Sequence, residues 1–335
     1  MSVIPKTQLA SIIEALGSFD VIKTAKIASP QITTGNDIII KNKYAGVNFV
    51  DAYYRNGTYP VAELPFTLGQ EASGVVVAIG EEVNKYKVGD NVAYLGSKTF
   101  AQYTKLNDKS SIVKLDKELS EQEFKFYGGA LLQGLTALTF ISESYNVKKD
   151  DFILVWAASG GTGSILVQLA SLRGAKVIAI ASTSEKLSKA KQLGAQFTIN
   201  YKTEDVAARV KEITNGQGVA AVFDSIGKST FDVSLDSLSR KGTFVSYGNA
   251  SGVVSPLTIT RLSPKNISLL RPRIVGYVET QQEWDHYTGI LLKHLKSGDL
   301  KLDISAVYPL SEYSEATEVL ESGQTSGKLI LEIPQ

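Results

Sequence analysis

The hydrophobic and polar positions divide the chain into two parts with different rhythms. Up to Ser120, short β-branched runs at 37–41, 74–79 and 91–94 alternate with clusters of Gly, Asn, Asp and Pro. This alternation predicts an antiparallel β domain. Ser120 is followed three residues later by Glu123, which has the form of a capping box and predicts that a helix begins there.

From residue 151 onward, apolar runs of strand length alternate with segments of helical periodicity. Strands are predicted at 152–156, 176–181, 197–200, 219–224 and 242–247, with helices at 163–173, 184–193, 204–214 and 230–238 between them. A further helix is predicted before this alternation, at 134–145. Continuous apolar runs joined by helical crossovers are typical of parallel strands that are buried on both faces. This half of the chain is therefore predicted to form a doubly wound α/β domain.

The rhythm changes again after Arg271. The tail contains a polar amphipathic helix near 283–296, an extended stretch at Tyr308 and Pro309, a helix capped by Ser311, and a final strand at 328–333. Because this segment is short for a domain of its own, we expect it to complete the first one. We predict a catalytic domain of residues 1–130 and 272–335, and a cofactor domain of residues 131–271.

Composition narrows the class of function. Among the 335 residues, 35 Lys and Arg balance 34 Asp and Glu, so no overall field favours nucleic acid or an anionic membrane. The chain has no cysteine and two histidines, so Cys-ligated zinc is excluded and a multi-histidine metal site is nearly so. No apolar run approaches the roughly 20 residues that span a bilayer, and the N-terminus lacks a targeting pattern. We expect a protein of the cytoplasm that uses no metal.

The strongest chemical signal is a glycine-rich segment between a predicted strand and a predicted helix. Residues 155–164 read VWAASGGTGS, which matches the G-x-G-x-x-G fingerprint at Gly160 and Gly163, with Ala158 in place of the first glycine. Glycine lets the backbone approach a pyrophosphate, which the free N–H groups of the helix N-terminus then bind. A glycine-rich turn can also merely connect two elements, but the strand–helix alternation that follows favours dinucleotide binding.

The end of the second predicted strand indicates which dinucleotide is bound. NAD enzymes place Asp or Glu there, whereas residues 181–186 of this chain read ASTSEK. Small hydroxyl side chains and Lys186 suit a 2′-phosphate, so we predict NADPH as the cofactor. The alternative is that Lys186 is a solvated helix residue beside Glu185.

Nearly the whole chain resembles the zinc-free quinone oxidoreductases related to zeta-crystallin, within the medium-chain dehydrogenase/reductase superfamily, and its fungal members especially. The motifs that carry the resemblance are AxxGxxG at 157–163, GVN at 46–48, DAY at 51–53, GQEASG at 69–74, VGD at 88–90, VSYGN at 245–249, ITRLSPKN at 259–266 and GKLIL at 327–331. The resemblance implies an α/β protein in which a GroES-like, mainly antiparallel β catalytic domain accompanies a doubly wound Rossmann cofactor domain. It also implies a homodimer.

Two positions distinguish the chain from the zinc-dependent branch of that superfamily. Alcohol dehydrogenases have a Cys in the segment that here reads GVN, and a zinc-ligating His where Gln70 stands. Without a Lewis acid, alcohol oxidation lacks its main electrostatic stabilisation, whereas a quinone is already a strong electrophile. We therefore expect metal-free hydride transfer from NADPH to a quinone.

The resemblance also implies a set of site residues. Tyr53, Asn48 and Gln133 are the candidate catalytic residues, and as neutral hydrogen-bonding groups they suit orientation and oxyanion contact better than general-base work. The implied cofactor contacts are Asn48 and Tyr53 at the nicotinamide, Gly160, Gly161 and Thr162 at the pyrophosphate, Ser182, Lys186 and Tyr201 at the 2′-phosphate, and Ser225, Ser246, Tyr247, Gly248, Asn249, Leu270, Arg271, Pro272 and Lys328 elsewhere. The alternative is that Tyr53 packs in a loop and Asn48 caps a helix beginning at Phe49.

Two other functions stay open. The same hydride chemistry reduces activated alkenes such as enals and enones. Relatives of zeta-crystallin also bind AU-rich RNA, which would give the protein a second, nuclear location and an RNA affinity that the cofactor modulates. The basic residues Arg261, Lys265, Arg271 and Arg273 support RNA binding only thinly, because a solvated face or a cofactor-phosphate contact explains them better.

Overall fold

The computed structural model describes residues 4–335. The strands in that range are β1 (Thr7–Ile13), β2 (Ile22–Ala28), β3 (Asp37–Gly46), β4 (Phe66–Thr67), β5 (Glu71–Ile79), β6 (Asn91–Leu95), β7 (Tyr103–Asn107), β8 (Ile112–Lys114), β9 (Phe152–Val155), β10 (Lys176–Ala181), β11 (Phe197–Asn200), β12 (Val219–Asp224), β13 (Leu238–Ser246), β14 (Ser268–Leu270), β15 (Ile304–Pro309) and β16 (Lys328–Glu332). The α-helices are α1 (Phe49–Arg55), α2 (Glu121–Gly128), α3 (Leu131–Thr139), α4 (Gly161–Leu172), α5 (Ser184–Gln192), α6 (Val206–Ile213), α7 (Phe231–Ser237), α8 (Gln281–Ser297) and α9 (Tyr313–Glu321). The chain forms two compact units, one of residues up to Leu132 together with Leu302–Gln335, the other of Gln133–Lys301.

The first unit is built mainly from antiparallel strands. Its larger sheet has the order β15-β16-β3-β5-β6-β8, with β7 also paired to β3, and its smaller sheet has the order β2-β1-β4. Among the strands described for this unit, only β15 and β16 pair in parallel. Ile38, Ile40, Tyr94, Phe100 and Leu331 are completely buried in the core. Because Leu331 belongs to β16, the last strand of the chain contributes to the core of this unit.

The second unit contains one parallel sheet of six strands in the order β11-β10-β9-β12-β13-β14. Val177, Ile178, Ala179 and Ile180 are successive residues of β10, and all four are completely buried. A strand whose side chains are buried on both faces requires helices on both sides, as a doubly wound sheet provides. This confirms the α/β interpretation of the second half of the chain.

Residues 272–301 group with the second unit, whereas we expected them in the first. Helix α8 explains the difference, because its buried face packs on the segment that opens the second unit. A Cβ added at Gly134 would lie 2.8 Å from Leu291 of α8, and the Tyr287 hydroxyl donates a hydrogen bond to Glu143. The part of the tail that belongs to the first unit is therefore 302–335.

Several helix boundaries depend on local hydrogen bonds. The capping box at the start of α2 is confirmed, since the Ser120 hydroxyl accepts from the Glu123 N–H at 3.3 Å and the Glu123 carboxylate accepts from the Ser120 N–H at 2.8 Å. The helix predicted at 134–145 is α3 followed by a π-helical turn, Phe140–Ser144. The helix predicted to be capped by Ser311 begins instead at Tyr313, with Glu312 as its N-cap, after a 3₁₀ turn. Between residues 4 and 335, no helix combines the length and apolar character that crossing a membrane requires.

Candidate functional site

The predicted cofactor residues of the second unit all follow or end strands of its parallel sheet. Because those strands are parallel, their carboxyl ends meet at one edge. That edge carries Gly160, Gly161 and Thr162 after β9, Ser182 and Lys186 after β10, Tyr201 after β11, Ser225 after β12, Ser246, Tyr247, Gly248 and Asn249 at the end of β13, and Leu270, Arg271 and Pro272 at the end of β14. This is the edge at which open α/β sheets bind their ligands.

The loop between β9 and α4 has the close backbone packing of a dinucleotide site. A Cβ at Gly163 would lie 2.2 Å from the carbonyl oxygen of Ala157, so only glycine fits where the helix packs on the strand. Ala157 has a left-handed φ of 49°, and its carbonyl accepts a hydrogen bond from the Gly160 N–H at 2.9 Å. Helix α4 then begins at Gly161, where the first N–H groups lack intrahelical partners. The loop therefore fits a pyrophosphate.

Two lysines, Lys186 and Lys202, follow the ends of β10 and β11. Lys186 lies in the first turn of α5, and its backbone N–H donates to the Thr183 hydroxyl at 3.3 Å. Burial lowers the pKa of Lys186, as does the nearby Lys202. Tyr201 is 47% exposed, and the centroid of its ring lies 6.0 Å from that of Trp156. Two lysines and an accessible tyrosine suit a phosphate monoester.

The turns after β12 and β13 touch backbone to backbone. A Cβ at Gly248 would lie 2.1 Å from the carbonyl oxygen of Ser225, and Arg271 donates to the Gly248 carbonyl at 2.9 Å. Asp224 anchors the first of these turns, since its carboxylate accepts from the backbone N–H of Ile226 at 2.7 Å. These contacts fix the position of the predicted cofactor residues Ser225, Gly248 and Arg271.

Two further predicted residues of the second unit are well packed. Gln133 lies in α3 and is 3% exposed. Tyr247 contacts Phe140 of the π-helical turn edge to face, with ring centroids 5.3 Å apart. The turn thereby supports the ring of a predicted cofactor contact.

A buried hydrogen-bonded cluster surrounds Glu71 in the first unit. Glu71 Oε1 accepts from Lys328 Nζ at 2.7 Å and from Asn48 Nδ2 at 3.0 Å. Lys328 Nζ also donates to Asn48 Oδ1 at 2.6 Å, and Asn48 Nδ2 donates to the Gly46 carbonyl at 2.9 Å. Asn48 is also the N-cap of α1, which agrees with the helix-capping alternative. The protein thus engages both ends of the Asn48 amide, and direct cofactor contacts by Asn48 and Lys328 stay predictions.

Tyr53 lies on α1 within an aromatic group. Its side chain is 7% exposed. The centroid of its ring lies 5.2 Å from that of Tyr59 and 6.2 Å from that of Phe49. Tyr59 in turn contacts Tyr54 at 5.8 Å. Packing against neighbouring rings therefore positions the ring of Tyr53. A packed ring is the apolar part of a tyrosine's usual role, and its hydroxyl supplies the polar contact.

Sequence reasoning missed three buried carboxyl groups near these predicted residues, those of Asp51, Glu71 and Asp224. All three side chains are at most 1% exposed. Acidic residues are almost never buried without partners. Asp51 interrupts an apolar run and Asp224 ends one, and that position is the signal that would have found them. Glu71 stands in the polar stretch GQEASG, where the hydrophobic pattern gives no such signal.

The basic residues considered for RNA binding are partly used within the protein. Arg261 pairs with Asp232 at 2.7 Å. Lys265 Nζ donates to the carbonyl oxygens of Asp236 and Leu238, each at 2.8 Å. These contacts explain both basic side chains without a nucleic-acid ligand.

Comparisons with known proteins decide the family. Residues 34–151 match the alcohol dehydrogenase GroES-like domain, and residues 161–292 match the zinc-binding dehydrogenase family. A probable quinone oxidoreductase from Schizosaccharomyces pombe is 42% identical over 299 residues, which covers 88% of each chain. The chain belongs to the zeta-crystallin-like quinone oxidoreductase family. The predicted resemblance is confirmed.

Other quinone oxidoreductases and relatives agree in fold. The crystal structure of the Escherichia coli quinone oxidoreductase complexed with NADPH superposes with a TM-score of 0.91 at 34% identity, over 97% of this chain and 99% of that one. A 2-haloacrylate reductase from Burkholderia sp. is 35% identical over 338 residues, covering 98% and 99% of the two chains. The first unit thus contains the GroES-like domain and the second the Rossmann-type domain, as predicted.

Proposed function

We propose that this quinone oxidoreductase reduces quinones with hydride taken from NADPH. The carboxyl edge of the six-stranded sheet carries the proposal, because the Gly160 loop suits a pyrophosphate and Lys186 suits a 2′-phosphate. The E. coli relative that was crystallised with NADPH supports the same cofactor.

The roles of the residues follow from their chemistry. When bound, NADPH supplies the hydride. The N–H groups of Gly161 and Thr162 would bind its pyrophosphate, and Gly160, whose own N–H is bonded to the Ala157 carbonyl, would leave room for it. Lys186 and Tyr201 would bind its 2′-phosphate. The Tyr53 hydroxyl would donate to the quinone oxygen that gains negative charge. A neutral donor suffices for this task, because the product is a stabilised aromatic oxyanion.

We propose that the reaction needs no metal. Asn48 and Gln70 stand at positions where zinc-dependent relatives carry ligands, and Asn48 is already bonded to Glu71 and Lys328. Across residues 4–335, no three His, Cys, Asp or Glu side chains converge in a metal-binding arrangement. Both observations favour positioning and neutral hydrogen bonds over Lewis-acid chemistry.

Activated alkenes are the second candidate substrates, which the similarity to a 2-haloacrylate reductase favours. The discriminating measurement is kcat/KM with NADPH for ortho- and para-quinones and for enals and enones of similar size. We expect quinones to be preferred by about tenfold or more. The opposite order would assign the chain to alkene reduction, and turnover of neither class would refute the proposed function.

We further propose a homodimer formed through β14. In the described part of the chain, β14 pairs only with β13, so its outer edge leaves backbone groups available. Two apolar side chains of the same unit, Val253 and Ile259, are 61% and 76% exposed, and a dimer interface would remove such side chains from water. Light scattering of the purified protein is expected to give twice the chain mass, and a monomeric mass at micromolar concentration would contradict the proposal.

AU-rich RNA binding stays a prediction, as does a cytoplasmic or nuclear location. The internal contacts of Arg261 and Lys265 make RNA the weaker hypothesis. RNA affinity that falls with salt and disappears on addition of NADPH would revive it.

A further inference from the structure

The buried cluster in the first unit has an ion pair at its centre. Glu71 and Lys328 are 1% and 3% exposed, and their charged atoms lie 2.7 Å apart. Removing two charges from water is costly, and a well-packed apolar pair is often as stable. Stability alone therefore does not account for an ion pair at this position.

Two glycines provide the space for this pair. A Cβ at Gly46 would lie 2.3 Å from Glu71 Oε1 and 2.8 Å from Lys328 Cε. A Cβ at Gly129 would lie 3.0 Å from the Lys328 side chain and 2.4 Å from that of Ile330. The surrounding backbone is thus fitted to these two side chains.

The two oxygens of Glu71 connect separate elements. Oε1 accepts from Asn48, the N-cap of α1, at 3.0 Å. Oε2 accepts from the backbone N–H of Leu132, in the first turn of α3, at 2.9 Å. Lys328, from the far end of the chain, fixes both the carboxylate and the Asn48 amide oxygen.

The residues that this ion pair binds are the candidate catalytic residues themselves or their neighbours in the chain. Asn48 is bound by the pair itself, Tyr53 is on the helix that Asn48 caps, and Gln133 follows Leu132 in the chain. We propose that the Glu71–Lys328 ion pair is a positioning pair that fixes the start of α1 and of α3, and with them the side chains that orient the nicotinamide and the quinone. This inference rests on the proposed function, because it concerns the same site.

The test compares two single variants with a charge-neutral double variant. In Glu71→Gln and in Lys328→Met one buried charge loses its partner, so Tm is expected to fall. A small displacement of reacting groups is costly, so kcat should fall by about tenfold or more in both variants. In Glu71→Gln, which changes no predicted cofactor contact, the dissociation constant for NADPH should change by less than about threefold. In Glu71→Gln/Lys328→Met, Tm should recover because no charge is left unpaired, but kcat should stay low.

Asp37→Asn is the matched control. Asp37 is a buried carboxylate of the same unit, 6% exposed, and Thr33 and Thr34 donate to it at 2.7 and 2.9 Å. This variant should lower Tm and leave kcat unchanged at a temperature where every variant is folded. Recovery of kcat together with Tm in the double variant, or wild-type kcat in Glu71→Gln, would overturn the inference. A wild-type protein that fails to reduce quinones with NADPH would instead refute the proposed function.

Discussion

The Asp51 carboxylate accepts a hydrogen bond from the backbone N–H of Asn48 at 2.9 Å, although the Asp51 side chain is completely buried. Burial raises the pKa of Asp51 to about 7, even though the Asn48 N–H and the Lys328 ammonium favour the charged form. Glu71 adds to the increase. A carboxyl group that titrates near neutral pH therefore lies in the first turn of the helix that carries Tyr53.

This arrangement predicts a pH-dependent stability with a definite sign. Because the pKa of Asp51 is higher in the folded protein than in the unfolded chain, the folded state binds the proton more tightly. The free energy of unfolding should fall as pH rises from about 4 to about 7. Asp51→Asn keeps an oxygen for the Asn48 N–H and removes the titration, so its Tm should exceed that of the wild type at pH 8 and match it near pH 4.

Thermal melts of the wild type and of Asp51→Asn across this range provide the measurement. Asp37→Asn serves as a control of opposite sign, because hydrogen bonds from Thr33 and Thr34 outweigh burial and hold the pKa of Asp37 well below its usual range. That variant should be less stable than the wild type at neutral pH. An unchanged pH slope in Asp51→Asn would show that folding does not raise the pKa of Asp51.

Cofactor selectivity should depend on Lys186. Lys186→Glu places a carboxylate where a 2′-phosphate is expected, so the KM for NADPH should rise roughly 10- to 150-fold. The KM for NADH should barely change, since NADH lacks that phosphate. Lys191→Glu, an exposed change in the last turn of the same helix, should affect neither cofactor. Equal losses for both cofactors in Lys186→Glu would place Lys186 away from the 2′-phosphate.

The hydroxyl of Tyr53 is expected to act in the transition state. Tyr53→Phe keeps the ring contacts with Phe49 and Tyr59 and removes only the donor. We expect kcat and kcat/KM to fall together by about tenfold, near 1.4 kcal/mol, with little change in NADPH binding. Tyr54→Phe is the adjacent control and should retain wild-type turnover. Wild-type rates in Tyr53→Phe with several quinones would leave Tyr53 as a packing residue.

The close approach of two turns makes Gly248 sensitive to a single methyl group. A Cβ there would meet the Ser225 carbonyl carbon at 2.7 Å and its oxygen at 2.1 Å, and neither backbone atom can turn away. Gly248→Ala should cost about 1–3 kcal/mol of stability and weaken NADPH binding, as fluorescence titration would show. Gly289→Ala in α8, where nothing lies within 4 Å, should be neutral or slightly stabilising. Wild-type NADPH affinity in Gly248→Ala would argue against this edge as the cofactor site.

Periodicity predicts the second unit closely because its strands are apolar on both faces. The observed bounds of β10, β11 and β12 coincide with the predictions. Strand β13 begins earlier than predicted, at Leu238, because that residue pairs with Val219 before a register shift. The π-helical turn after α3 also escapes prediction, since its hydrophobic pattern continues that of the helix.

The cluster around Glu71 shows where sequence reasoning ends. Asn48 and Glu71 are 23 residues apart, and Glu71 and Lys328 are 257 apart. No periodicity relates side chains at such separations. They meet because β3 pairs with β16, which carries Lys328, and with β5, which carries Glu71. Motif resemblance singled out Asn48 and Lys328, but only the structure assigns the carboxylate between them.

We propose that this chain reduces quinones with NADPH and without a metal. The most direct measurement is the rate of NADPH oxidation by chelator-treated, dialysed protein in the presence of a quinone, with the hydroquinone product quantified. We predict a rate equal to that of untreated protein, and no stimulation by added zinc. A rate that falls on chelation and returns with zinc, or NADPH oxidation that does not depend on the quinone, would contradict the claim.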